Sequence, residues 1–184
     1  MFNAIPTHQQ ELIPHILQLG QLFGGAVRDM FTGEFYSEDW KGDFDVTPYS
    51  YADFQPALNN LLANSVRNRL AFKIVDVLEE HPTLCKMLIS YKDKQFKLDL
   101  VANPEMNYDG TIDDPLIDID VNGLMYNRTG MFVRGDCNVP FTTILEHIRA
   151  GEFMILKELS DTRRAKVIKL LHSGWKCLNP HLLA

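Results

Sequence analysis

Two aspartates one residue apart, in Asp43-Phe44-Asp45, constrain the fold more than any other feature of the 184-residue chain. On a β-strand, alternate residues share a face, about 6.6 Å apart along the chain. Phe44 then faces a core while both carboxylates face a common opening. Two carboxylates held that way repel unless a cation sits between them. Nucleotidyl transfer uses such an arrangement, with two divalent ions about 3.5–4 Å apart serving the attacking and leaving oxygens. Magnesium suits the role, with manganese as a substitute, because both prefer oxygen ligands. Taken alone, an Asp-X-Asp is more often a solvated turn carrying two acids.

The surrounding pattern predicts a mixed α+β domain. Thr7 and Gln10 have capping-box spacing, and Leu12, Ile16 and Leu19 fall on one helical face that Gly20 stops. Pro14 lies inside that pattern and predicts a kink or a late start. Gln21–Phe23 reads as a strand ending at Gly24-Gly25, Ala26–Phe31 as a helix stopped near Gly33, and Asp43–Val46 as a second strand. Phe54, Leu58, Leu61 and Leu62 mark an amphipathic helix. Lys73–Leu78 is a strand, and Lys86–Tyr91 and Gln95–Val101 form a hairpin over Lys92-Asp93-Lys94. Residues 103–115 are rich in Asn, Asp, Pro and Gly and read as a loop. Leu116–Asp120 is short and extended, and Leu124–Asn127 pairs with Met131–Arg134 across Arg128-Thr129-Gly130. Thr143–Ala150 and Asp161–Ser173 are helices, with Val167, Ile168 and Leu171 as the apolar stripe of the second.

Two further features carry chemistry. Gly24-Gly25 lies between a strand and a helix, where glycine allows close approach of backbone to phosphate and a helix N-terminus favours anions; an ordinary tight turn is the plainer reading. In Lys97-Leu98-Asp99-Leu100, the leucines face the core, so Asp99 faces the other way. It either completes a metal triad with Asp43 and Asp45 or is a surface acid on an alternating strand. The aromatics Trp40, Tyr49 and Tyr51 flank the aspartate pair, either to stack on a base or to pack the core. The six histidines are scattered without ligand or triad spacing.

Residues 23–45, reading FGGAVRD followed by GDFD, resemble the signature of the poly(A) polymerase and CCA-adding tRNA nucleotidyltransferase family. The match takes in Gly24, Gly25, Val27, Arg28, Asp29, Asp43 and Asp45 in order. The resemblance implies a polymerase-β-like nucleotidyltransferase head over residues 1–140 and a short helical neck over 141–184. It implies catalytic, metal-holding roles for Asp43, Asp45 and Asp99, and nucleotide contacts from Gly24, Gly25, Arg28 and Asp29. Residues 119–126 are similar to the family's RDFTINALAY segment, so Asp118 and Asn122 take the places of its aspartate and its nucleotide-side asparagine. Ile117 stands where the family has arginine, and Asp120 where it has threonine. Residues 160–164 resemble EDxxR, with Ser160 in place of glutamate. The resemblance therefore makes Asp161 and Arg164 the pair that reads the base edge. It runs out after about residue 172.

The implied activity is metal-dependent transfer from ATP, CTP or both to an RNA 3′ hydroxyl, with a tRNA end or a poly(A)-like tail as the product. The alternatives are an enzyme of the same fold that modifies a protein or a small molecule, and an inactive nucleotide-binding module. Net charge bears on the acceptor. The chain carries −6 overall, which argues against a strongly basic nucleic-acid binder. Residues 1–143 carry 11 Lys and Arg against 20 Asp and Glu, whereas 144–184 carry 7 against 4. RNA contacts are thus expected from Arg149, Arg163, Arg164, Lys166, Lys169 and Lys176, with self-association or a partner supplying further grip. Three distant cysteines, no signal pattern and no long apolar run predict a cytoplasmic chain that does not enter a membrane.

Overall fold

The computed structural model describes residues 6–49, 54–102, 117–135 and 137–183. The loop expected at 103–115 and Tyr51 lie outside the described residues. Helix α1 (His8–Leu19) begins with the anticipated box, the Thr7 amide donating to Gln10 Oε1 at 2.8 Å. Pro14 sits inside it without delaying its start. Leu12 and Ile16 are buried, and so is Gln9, whose Nε2 donates to the Phe35 and Ser37 carbonyls and ties the helix to the loop beyond α2 (Gly25–Thr32). Gly20 ends α1 in extended backbone, and the need for glycine there is steric. A Cβ at that position would lie 2.0 Å from the Thr47 carbonyl oxygen.

Seven strands form one mixed sheet in the order β3 (Lys73–His81), β4 (Leu84–Tyr91), β5 (Lys94–Val101), β2 (Phe44–Thr47), β1 (Gln21–Phe23), β6 (Leu124–Asn127) and β7 (Gly130–Val133). Only β2 and β5 run parallel; every other pair in this sheet is antiparallel. The chain reaches this parallel pair by way of α3 (Phe54–Val66) and the β3–β4 excursion. Alternation is strict where it matters. Phe44, Val46, Leu98 and Leu100 are buried, and Asp45 and Asp99 take the opposite face. Both expected hairpins turn on two residues rather than three, with Tyr91 opposite Lys94 and Asn127 opposite Gly130. Lys92 adopts positive φ (54°), so a single residue absorbs the reversal.

After α4 (Phe141–Ala150) come β8 (Glu152–Phe153), α5 (Asp161–His172) and β9 (Lys176–Cys177), with β8 and β9 pairing in parallel. These two strands are too short to leave a period-2 pattern in the sequence. On α5 the core stripe is Val167 and Leu170, while Ile168 is 44% exposed, which shifts the expected stripe by part of a turn. Residues 120–122 form a 3-10 turn in place of the extended segment expected to reach Asp120. The C-terminal segment is stitched to this turn. Asp120 is fully buried, and its Oδ1 accepts from the Val121 and Met154 amides while its Oδ2 meets His147 Nδ1 on α4 at 2.5 Å. No helix among the described residues is long and apolar enough to cross a membrane.

Candidate active site

The sheet register lines up one row of side chains. Glu79, Lys86, Asp99, Asp45 and Phe23 are successive cross-strand partners on β3, β4, β5, β2 and β1. Neighbouring strands lie about 4.8 Å apart, so Asp45 and Asp99 are held side by side by backbone pairing alone. Asp43 precedes β2 by one residue and is exposed. The three aspartates thus open onto one cleft of about 1030 Å³, together with the β1–α2 turn and one face of α5.

Gly24 sits where the turn crosses over Asp45. Its φ is 71°, a conformation that side chains with a Cβ rarely adopt, and an added Cβ would lie 2.9 Å from Asp45 Oδ2. Glycine is therefore required twice over, by the backbone and by the carboxylate beneath it. Gly25 opens α2, and Gly24, Gly25 and Arg28 at that end of the helix line the same cleft.

The carboxylates are uncomfortable together. Burial, then Asp99 and Asp43, push the Asp45 carboxyl from 3.8 up to about 7, against the pull of Lys166 and Arg134. Burial, then Asp43, also raise Asp99, while Lys86, Lys166 and Lys97 lower it. The donor set of carboxylate oxygens with excess negative charge suits a hard divalent cation. Among the described residues, no three His, Cys, Asp or Glu side chains already converge as a closed cage. Any ion held here would complete its shell with water or with oxygens from a substrate.

The other expected residues divide sharply. Arg28 lines the cleft, but its Nη2 and Nε hold Asp29 Oδ1 at 2.9 and 3.1 Å and its Nη1 donates to Asn122 Oδ1 at 3.0 Å. Asp29 is buried and also accepts from Trp40 Nε1 at 2.9 Å. This pair braces the wall, with Arg28 also lying 5.5 Å from the Trp175 ring centroid. Asn122 and Asp118 line the cleft too. Trp40 packs on Phe35 and Phe44 and also lines the cleft, whereas Tyr49, 47% exposed, donates to the Leu17 carbonyl and is not among the lining residues. Asp161 and Arg164 are not brought to the cleft lining. Asp161 is exposed in the first turn of α5, and Arg164 Nη1 donates to the Leu183 carbonyl. The face of α5 that lines the cleft carries Lys166, Lys169 and Ser173 instead. Arg134, 2% exposed and 5.0 Å over the Phe23 ring, and Trp175 also escaped the sequence reading. Nothing local in the sequence marks either of them. No protein-family model and no curated protein matches the chain.

Proposed function

We propose that the protein is a metal-dependent nucleotidyltransferase that moves a nucleoside monophosphate from an NTP, ATP or CTP, to an RNA 3′ hydroxyl. The observation that carries this reading is the placement of Asp45 and Asp99 as partners on parallel strands, with Asp43 alongside, beneath the glycine turn that opens α2. When bound, a pair of magnesium ions supplies the charge that activates the attacking oxygen and stabilises the leaving one.

The chain's own residues do the rest. Asp43, Asp45 and Asp99 would hold the ions. The amides at the start of α2 would receive phosphate oxygens, which the helix dipole favours. Gly24 keeps that turn low enough for phosphate and carboxylate to approach together. The Arg28–Asp29–Trp40 brace fixes the turn's helix. No histidine is among the residues lining the cleft, so the reading assigns no histidine base.

The test is incubation with total RNA, magnesium and each labelled NTP in turn, followed by a gel and a pyrophosphate assay. Labelled RNA with matching pyrophosphate release is expected. Label in a protein or small-molecule fraction would move the acceptor and keep the chemistry. Absence of pyrophosphate with every NTP and acceptor would sink the reading.

A further inference from the structure

We propose that Lys166 and Lys169 of α5 form a polyphosphate clamp that takes the β- and γ-phosphates of the nucleotide. The inference rests on the nucleotidyl-transfer reading of the cleft and adds to it the half of the site that receives pyrophosphate. In the reaction, the acceptor oxygen bonds to the α-phosphorus and the bond from that phosphorus to the bridging oxygen breaks. The electron pair stays on pyrophosphate, and the acceptor's proton passes to solvent.

The orientation of α5 sets which side chains face the cleft. Val167 and Leu170 bury its core stripe, and Arg164 fastens the helix to the Leu183 carbonyl. Residues three and four apart share a helical face, so Lys166, Lys169 and Ser173 form the row that lines the cleft. The positive charge of Lys166 reaches both Asp45 and Asp99, on the opposite wall.

Of the other cations around the cleft, Lys41 and Lys97 stand on the carboxylate wall itself, each two residues from Asp43 or Asp99, and the remaining three are already engaged. Arg28 is spent on Asp29 and Asn122. Lys86 pairs with Glu79 at 2.5 Å. Arg134 is buried over Phe23. Lys166 and Lys169 are exposed and make no ion pair among the described residues. Two uncommitted ammonium groups one turn apart face a carboxylate wall across an open cleft. A polyanion bridged to that wall by divalent ions fits between them, since each ammonium offers three donors. Both lysines were expected from the sequence to grip RNA outside the site; their place in the cleft assigns them to the nucleotide.

The probe is inorganic tripolyphosphate with magnesium, titrated calorimetrically into the full chain, with circular dichroism to check the fold of each variant. Lys166→Ala is expected to weaken binding about ten- to hundred-fold, as loss of a charged hydrogen bond does. Lys169→Ala should weaken it too, and Lys166→Arg should restore most of the affinity. Lys73→Ala, on the far edge strand, should bind as the unaltered protein does. Wild-type protein that takes up no tripolyphosphate, or Lys166→Ala that binds it undiminished, overturns the clamp. So does a loss in Lys166→Ala confined to a short single-stranded oligoribonucleotide. Binding needs no turnover, so the two readings fail separately. Lys166-dependent uptake without pyrophosphate release from any NTP refutes the transferase and leaves the clamp, whereas turnover with unaltered Lys166→Ala binding refutes the clamp alone.

Discussion

Asp45→Asn separates the cost of the Asp45 carboxylate to the fold from its use to the reaction. In metal-free protein, burial and Asp99 hold this carboxyl at about 7 instead of 3.8. Between those values the folded chain keeps a proton that the unfolded chain has released. Stability therefore falls as pH rises from about 4 to about 7 and stays low above that. At about 1.4 kcal/mol per pH unit the ceiling is about 4 kcal/mol, of which roughly two thirds falls between pH 5 and pH 8. Solvent screening at a half-buried residue cuts this to about 1–2 kcal/mol. For a chain of this size that is roughly 3–6 °C in melting temperature. Asparagine keeps the shape without the charge. Thermal unfolding in a chelator should thus find Asp45→Asn melting above wild type at pH 8, by a margin about 3–6 °C wider than at pH 5. Magnesium should raise the wild-type melting temperature at pH 8 and leave the variant's nearly unmoved, because only a site that binds the ion gains from it. A variant that melts below wild type at pH 8 without metal, or a margin equal at the two pH values, refutes the reasoning.

Asp43→Asn and Asp99→Ala should each lose pyrophosphate release by at least about a hundred-fold while keeping far-ultraviolet dichroism, since both side chains face the cleft and not the core; near-normal turnover in either would remove it from the site. Asp161→Ala and Arg164→Ala should leave the preference among the four NTPs unchanged, because neither lines the cleft; competitive incorporation measures this, and a switched preference would bring the pair back to the base. Asp120→Ala should destabilise the fold by about 3 kcal/mol, leaving His147 and the Val121 and Met154 amides unpaired; urea unfolding gives the number, and a loss below about 1 kcal/mol would show that water replaces the carboxylate.

Local pattern carried much of this architecture. Leu98 and Leu100 alternate with Asp99, and Gly24-Gly25 punctuates a strand and a helix, so the positions of these elements could be read directly. What could not be read was registration between distant segments. Nothing around residue 99 says that β5 lies beside β2, yet that parallel pairing is what makes Asp45 and Asp99 neighbours. The same holds for α5. Its amphipathic period was visible, but a rotation of part of a turn decides whether Arg164 or Lys166 enters the cleft, and buried Leu170 settles it. Asp120 shows the limit of motif matching. It stands where the resembling family has threonine, and it serves as the buried hub between a 3-10 turn and α4. Motif letters report chemistry, while the packing that orients them belongs to the whole chain.

The acceptor is governed by charge, and the structure redistributes the charges. The sequence offers six basic residues beyond position 144 as RNA contacts. Lys166 and Lys169 turn into the cleft, Arg164 is tied to the Leu183 carbonyl, and Lys176 pairs with Glu152 at 3.0 Å. Exposed Arg149 on α4 remains outside the cleft, and Lys176 can exchange its carboxylate for a phosphate at little cost because surface pairs are weak. Half-buried Arg163 is itself partnered, so roughly three phosphate contacts is the expected number, from Arg149, Lys176 and one at the cleft mouth. For single strands, affinity falls with salt by a power of about 0.7 per contact, here about two. A labelled single-stranded oligoribonucleotide, followed by fluorescence anisotropy, should therefore lose roughly fifteen-fold in affinity between 50 and 200 mM salt. Additions by the isolated monomer should be short and distributive, because so few contacts cannot hold the product between cycles. A power above about five would reveal a basic surface beyond these residues. Tight binding indifferent to salt, or long tails made by a monomer, would show that the acceptor is held by something other than phosphate contacts from this face.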